Sequence, residues 1–384
     1  MTTPDPEVTT TPGPPGAPAH DVGALAARFE LLADQDFAGY SPVYDRVARA
    51  IATDPDTLEL LLGIVPVNRT PVLSLAATRY LALGEPSSPL GRIHTGTSAD
   101  DPWPALRDLL HGRTNEVRHL MATRSIQTNE VGRAAALLPA LASLLAPTGA
   151  APWALVEVGP SAGLNLLLDQ FLVEYVDVDG SAVAAVGPPE SSVHLRCELR
   201  GDGRPHAFGP AGPLAWRVGL DLTPIDVTDD AERRWLVACV WPGIPERPER
   251  LTAALDLAAT DPPPLRRGDA AVDLEGLLGE VPSGLPIAVV STWALAYLDT
   301  DGRRAVADAV DRVGARRDIG LVTAEAATVT PWIPPVAVTA SGGDGADGTP
   351  TVLGVRSWAA GRHTDRALGV LHPHGRWLAW EAGR

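Results

Sequence analysis

The stretch Ala154-Leu155-Val156-Glu157-Val158-Gly159-Pro160-Ser161-Ala162-Gly163-Leu164-Asn165-Leu166-Leu167-Leu168-Asp169 decides how the chain folds. An apolar run leads into a turn with glycine at both ends, and four leucines then open a helix-like stretch. Glycines let backbone pass close to a ligand, and a helix start offers unpaired N–H groups and a partial positive charge. Two chemistries fit these letters. One is a nucleotide-type cofactor cradle with Glu157 before the glycines; the other is a Gly-x-Ser-x-Gly elbow with Ser161 as nucleophile.

Composition narrows the choice. The 384 residues are long enough for one large domain or two, and a hydrophobic fraction of 45% predicts a folded protein. All 31 basic residues are arginine. Without lysine there is no Schiff base, no pyridoxal-phosphate enzyme, no Walker-type phosphate lysine and no kinase lysine. A formal charge of -16 with scattered arginines repels a phosphate backbone, so no nucleic-acid partner is expected. Cys197 and Cys239 lie far apart with no Cys-x-x-Cys spacing, which fits a reducing compartment and small buried residues. Residues 1–20, rich in Pro and Thr, read as a disordered tail, neither signal peptide nor anchor. With no run of 18 apolar residues downstream, a cytoplasmic protein without membrane contact is expected.

From Asp21 to Thr148 the pattern is helical, with five or six helices and no strand. Ser41-Pro42, Asp54-Pro55 and Thr70-Pro71 each put a capping side chain before a proline, whose missing N–H is harmless at the first helical position. Residues 21–148 therefore form an all-helical N-terminal domain, a cap that binds substrate. Its polar segment Arg124 to Arg133 would, as a helix, bring Asn129, Glu130 and Arg133 onto one face able to hold a polar substrate. A Thr128 cap with solvated charges accounts for the same letters.

From Trp153 onward, apolar strand-like runs alternate with helices, as in a parallel α/β sheet. Val193–Arg200 and Ala215–Leu220 are strand-like, with Gly201-Asp202-Gly203 as a hairpin turn. Asp221 closes the latter run, where one carboxylate can accept from both hydroxyls of a ribose. Helices follow over Asp229–Val240 and Glu246–Ala259, a third strand over Leu265–Ala270 with Asp269 near its end, and a helix over Leu274–Leu278. Pro286–Thr292 reads as a fully buried strand, Asp301–Val313 as an amphipathic helix, and Ile319–Thr323 as the next strand, leading to Glu325. After a Gly/Pro-rich loop over 330–350, Val352–Trp358, Ala367–Leu371 and Trp377–Trp380 read as antiparallel strands, with His372–Gly375 as a turn. The fold class is thus α/β: a Rossmann-like, mostly parallel sheet over 149–384 with a C-terminal antiparallel hairpin, preceded by the helical domain.

Glu157-x-Gly159-x-Ser161-x-Gly163, Gly219-x-Asp221-x-x-Pro224, Gly268-Asp269 and the strand ending Ser291-Thr292 together resemble the cofactor half of class I S-adenosylmethionine-dependent methyltransferases. The closing hairpin also looks like theirs. Gln127-Thr128-Asn129-Glu130 and Ser161-Ala162-Gly163-Leu164-Asn165-Leu166 are, more narrowly, similar to a bacterial family of unknown function over nearly the whole chain, which brings no activity with it. The methyltransferase resemblance implies S-adenosylmethionine as cofactor. Gly159 and Gly163 would lie against its methionine part, with Glu157 ordering the loop and Ser161 in it; Asp221 would take the ribose hydroxyls, Asp269 and Ala270 would flank the adenine, and Ser291 and Thr292 would line the transfer cleft. Two departures stand out: Ser161 sits where a middle glycine is common, and about 50 residues intervene before the second strand.

The expected function is methyl transfer to a small acceptor held by Asn129, Glu130 and Arg133, driven by alignment, which contributes about 7–11 kcal/mol without a dedicated base. The alternatives are a Rossmann-like binding protein without turnover, and a serine hydrolase in which acids and then His363, His372 and His374 follow Ser161 in triad order. The elbow is weakened by the helical character of the preceding 150 residues and by the lack of a His-Gly-Gly segment. His372 and His374 lack a nearby third ligand, so no metal site is expected. Tyr297 faces either the cleft or the core, and Trp216, Trp235, Trp241, Trp293 and Trp358 are read mainly as packing.

Overall fold

The computed structural model describes residues 21–64, 71–243, 246–336 and 351–381. The expected tail, the Thr70 cap and residues 337–350 of the loop lie outside the described residues.

The N-terminal part is built from α1 (Val22–Leu32), α2 (Pro42–Ala52), α3 (Pro55–Leu62), α4 (Pro71–Gly84), α5 (Pro89–His94), α6 (Pro102–Gly112) and α7 (Thr114–Thr123), followed by α8 (Ala134–Leu145). Eight helices replace the expected five or six because several are short and abutted: α5 has six residues, and Arg113 alone separates α6 from α7. The capping logic extends beyond the pairs read in the sequence. Ser41, Asp54, Ser88 and Asp101 each precede a proline, and each accepts a backbone N–H from the first turn of its helix.

The sheet comprises β1 (Trp153–Val158), β2 (Leu172–Asp177), β3 (Ala182–Val186), β4 (His194–Leu199), β5 (Leu214–Asp221), β6 (Leu265–Arg267), β7 (Ile287–Thr292), β8 (Ile319–Ala326), β9 (Thr351–Ala359), β10 (Arg362–Leu371) and β11 (Trp377–Trp380). Their spatial order is β3-β2-β4-β11-β10-β9-β8-β7-β1-β5-β6. Strands β6, β5, β1, β7 and β8 run parallel, and β9, β10 and β11 form the expected antiparallel end. The sheet is therefore mixed and mostly parallel.

The roughly 50 extra residues also find their place, which corrects the expected hairpin at Gly201–Gly203. β4 pairs parallel with β2 and with β11, while β5 lies beside β1, so no hairpin joins β4 to β5. The apolar stretch after the glycine turn ends as a short 3-10 segment, Leu164–Gln170, because the chain turns directly into β2.

Helices α9 (Asp230–Cys239), α10 (Glu246–Thr260), α11 (Ala270–Glu280) and α12 (Thr300–Gly314) cover the sheet. α8 and α10 supply one core with Leu155, Ala288, Val290 and Val322, and α11 and α12 supply a second with Val156, Val289 and Leu321. Alternate residues of β1 and β7 thus serve opposite cores, which is why these strands are apolar throughout. Helices α1 to α7 form a separate core that takes in Trp235 and Cys239 of α9. Residues 131–148 are, by length and composition, apolar enough to cross a membrane, contrary to the expectation that no such run exists. Most of that segment is buried in the protein, where α8 lies on the sheet.

Gly314, in the last turn of α12, has Trp358 directly against it: a Cβ there would stand 2.3 Å from the ring's Cγ. The indole is fixed by its N–H donating to Asp311 at 2.8 Å. Glycine to alanine in a helix ordinarily gains up to about 1 kcal/mol. Here Gly314→Ala is expected to lower stability by about 1–3 kcal/mol through overpacking, read as a lower midpoint in urea unfolding.

Candidate functional site

In parallel sheets with this winding, ligands bind outside the carboxyl ends of the strands where the strand order reverses. That place is fixed here by β1, which has β5 and then β6 on one side and β7 and then β8 on the other. Four loops leave the sheet there, after β1, β5, β6 and β7, and a strap over 124–133 crosses above them.

The loop after β1 alternates its backbone hand, with φ of +69° at Gly159, +54° at Ser161 and +71° at Gly163. The loop after β7 carries a second bulky left-handed residue, Trp293, at φ +58°. Such residues cost about 1–3 kcal/mol each and persist only where surroundings over-determine them. Around Trp293 the determinant is Glu325 of β8, whose Oε1 accepts from Ser291 Oγ at 3.1 Å and from the N–H groups of Ala294 and Leu295 at 3.0 Å each. The two loops touch: a Cβ on Gly159 would lie 2.3 Å from the Ala294 Cβ.

Two carboxyls are buried at this edge, on opposite faces of the sheet. Glu157 shares its face of β1 with Leu155, under α8; Glu325 shares its face of β8 with Leu321, towards α12. Burial pushes Glu157 up to about 8, with the Asn165 amide and Arg133 pulling the other way and Asp221 adding to the rise. Burial likewise lifts Glu325 to about 7 against its N–H donors, Ser291 and Arg133. Glu157 Oε2, Asn165 Oδ1, Glu325 Oε2 and Asn129 Oδ1 are all buried and have no hydrogen-bond partner among the described residues.

The strap is extended over 124–130, with one turn of 3-10 helix at Val131–Arg133, so the shared helical face expected for Asn129, Glu130 and Arg133 does not form. Its side chains bond to the loops instead. Gln127 Nε2 donates to Thr223 O at 3.1 Å, Asn129 Nδ2 donates to Pro160 O at 2.7 Å, and Gln127 Oε1 accepts the Ser161 hydroxyl at 2.5 Å. Glu130 is an anchor: Arg247 Nε and Nη2 lie 2.9 Å from its Oε2, His374 Nδ1 lies 3.2 Å from the same oxygen, and Arg250 lies 3.5 Å from Oε1. Burial alone would raise this carboxyl, but Arg247, His374 and Arg250 hold it well below the usual range. Arg133 is buried too. Its Nε donates to Pro373 O at 2.9 Å and its Nη1 to Thr292 O at 3.0 Å, and it carries no ion pair within 4.0 Å among the described residues. Its charge is felt by Glu157, Glu325 and Tyr297 around it.

The remaining residues singled out in the sequence gather at the same edge, each with a partner inside the protein. Asp221 reaches the glycine turn, accepting from Ser161 N at Oδ2 and from Thr223 N at Oδ1, both at 2.8 Å. Asp269 caps α11 at Ala271, one residue past Ala270. Ser291 bonds Glu325, and Thr292 bonds Arg133. Gly163 packs on Pro263 and Leu265. As for the triad order, the Ser161 hydroxyl has an amide as partner, while His363 pairs with Asp365 and His374 lies on Glu130.

Glu325 and Arg247 carry weight that the sequence did not announce. Glu325 could have been found as an acid closing an apolar strand; Arg247 sits in an ordinary-looking helix, and no local signal marks it. Three of the six large apolar residues that are exposed among the described residues, Leu222, Val272 and Tyr297, also lie on the loops or first helical turns leaving this edge. By contrast, a mostly apolar cavity of about 480 Å³ opens at the other end of the sheet, beside Leu144, Ile287 and Trp358. It lacks the converging carboxyls and buried guanidinium of the strand ends.

A family model described as an uncharacterized protein conserved in bacteria (DUF2332) matches residues 26–380. No curated protein and no solved structure matches the chain.

Two outcomes check this geometry. Removing one partner of a buried ion pair strands the other, so Glu130→Gln is expected to cost about 3–5 kcal/mol of unfolding free energy, measured by urea denaturation. For Glu157 the folded pKa of about 8 lies above the unfolded value of 4.5, so the folded state holds the extra proton and loses stability as pH rises between them. Glu157→Gln is therefore expected to match the native protein near pH 4.5 and to melt progressively higher than it up to pH 8, in a scanning-calorimetry series.

Proposed function

We propose, for a chain that belongs to the uncharacterised bacterial family DUF2332, that the strand-end crevice binds S-adenosylmethionine and that the protein methylates a small-molecule acceptor there. The observation that carries this reading is the meeting of Asp221 with the glycine turn at the point where the strand order reverses.

The chemistry of the side chains at the crevice fits such a ligand. The unpartnered amide oxygens of Asn165 and Asn129 suit an ammonium group, and the Arg133 guanidinium, free of any ion pair among the described residues, suits a carboxylate. Together they match the amino-acid end of the cofactor. Asp221 suits two ribose hydroxyls, and the exposed Leu222 and Val272 suit the faces of a base. When bound, S-adenosylmethionine supplies an electrophilic methyl group on a sulfonium. The chain's own part is positioning. The strap orients the acceptor over the strand ends, and the apolar strands β1 and β7 exclude water. Glu157, which burial keeps mostly neutral at pH 7, offers an O–H donor without adding negative charge.

A second reading, a binding protein without turnover, is favoured by the internal partners of Asp221 and Ser161, which a ligand must displace. A thermal-shift series with S-adenosylmethionine, its demethylated product, nicotinamide dinucleotides and flavins tests the cofactor, and methyl release to candidate acceptors separates the two readings. The first two are expected to raise the melting temperature. Asp221→Asn, which keeps an acceptor for the loop, is expected to weaken both roughly ten- to a hundredfold in calorimetry, the loss of charge-assisted bonds of about 1.5–3 kcal/mol. Stabilisation only by a dinucleotide or a flavin would overturn the cofactor assignment. Binding without methyl release in the presence of candidate acceptors would leave the binding-protein reading.

A further inference from the structure

Among the described residues, the helical layer contains a charge with no counterpart. Arg79 of α4 is only 2% exposed, and its Nε and Nη1 have no hydrogen-bond partner among those residues. No carboxylate is among the groups whose charge it feels, which are Tyr44, Cys239 and a second cation, Arg247. The hydroxyls on its own helix do not serve it, because Ser74 and Thr78 donate to carbonyls of Pro71, Ser74 and Leu75. Beside it stands His94 of α5, whose two ring nitrogens are likewise buried and without partners. Tyr44 of α2 completes the group, its ring 6.5 Å from that of His94 and its hydroxyl making only a long bond, 3.4 Å, to Leu75 O.

A guanidinium stays charged in a protein interior, unlike an amine that can shed its proton. An unpaired one costs several kcal/mol to bury. The core around it is packed with apolar residues such as Phe29, Phe37, Ile51 and Leu75. What would offset that cost is a compact anion with acceptor oxygens for the guanidinium and for a neutral imidazole N–H.

We propose that the helical layer holds a small oxyanion, a carboxylate or phosphate group, between Arg79, His94 and Tyr44. This site is separate from the strand-end crevice and does not depend on what binds there. Its three side chains come from α2, α4 and α5, so an occupant would tie these helices together.

The test uses the full-length protein exchanged into chloride buffer, with inorganic phosphate and acetate added separately at constant ionic strength. One or both anions are expected to raise the melting temperature by a few degrees, rising with the logarithm of concentration, and the arm that responds identifies the group. Arg79→Met is expected to lose that response. Without added anion it is expected to be at least as stable as the native protein, since the unpaired charge is gone. His94→Leu, which keeps the cation, is expected to weaken the response about tenfold in apparent affinity. No response to either anion would overturn the proposal, as would an undiminished response in both variants. So would a loss of stability in Arg79→Met in chloride buffer, because the guanidinium would then be satisfied by water already in place.

Discussion

The buried Glu130 carboxylate is the constraint on which the arrangement at the strand ends depends. It joins three parts of the chain that are remote in sequence: the strap, α10 through Arg247 and Arg250, and the turn between β10 and β11 through His374. Backbone meets backbone at the same point, since a Cβ on Gly132 would lie 2.3 Å from His374 O and one on Gly375 would lie 1.9 Å from Gly132 O. Only glycine at both positions allows that approach, and Gly375 in addition has a φ of +70°. With the strap fixed there, Arg133 has one place to go, over Thr292 and beside the turn carbonyl of Pro373.

Polar groups in the strand-end region differ in how fully they are bonded. Asp221 bonds Ser161 and Thr223, Asp269 bonds its helix, and Ser291 bonds Glu325. Glu157, Asn165, Asn129 and Glu325 each keep one buried oxygen without a hydrogen-bond partner among the described residues, Glu325 while its other oxygen holds the loop after β7. Buried polar atoms are rarely left so. The left-handed Ser161 and Trp293, one on each side, are the local strain that this arrangement retains.

The sheet grows in two directions from this point. The parallel half follows from strands buried on both faces, each serving two helical layers. The antiparallel end then joins the parallel half to the edge formed by β2, β3 and β4, with β11 as the seam. The helical layer docks on α9, through Arg124 on Glu232 and Tyr80 on Arg234, and on the segment after it, through Ser41 on Pro242.

Local chemistry determined much of this from the sequence alone. The glycine turn, the strands β1, β5, β7 and β8 and the prolines behind their capping residues all rest on signals within a few residues of each other. Tertiary structure decided the rest. Whether Asn129, Glu130 and Arg133 would share a helix turned on Arg247 and His374, more than a hundred residues away, which hold Glu130 of the extended strap through the Arg247 charge and the His374 ring nitrogen 3.2 Å from the carboxylate. Where β2 to β4 would pair depended on β11 near the far end of the chain, since a strand's partner is set by which edge is left open. Asp221 was legible as a strand-end acid, but its bonds to the loop's own N–H groups belong to the folded geometry. Spacing in sequence fixes which side chains are available; only the packed chain fixes what each one bonds to.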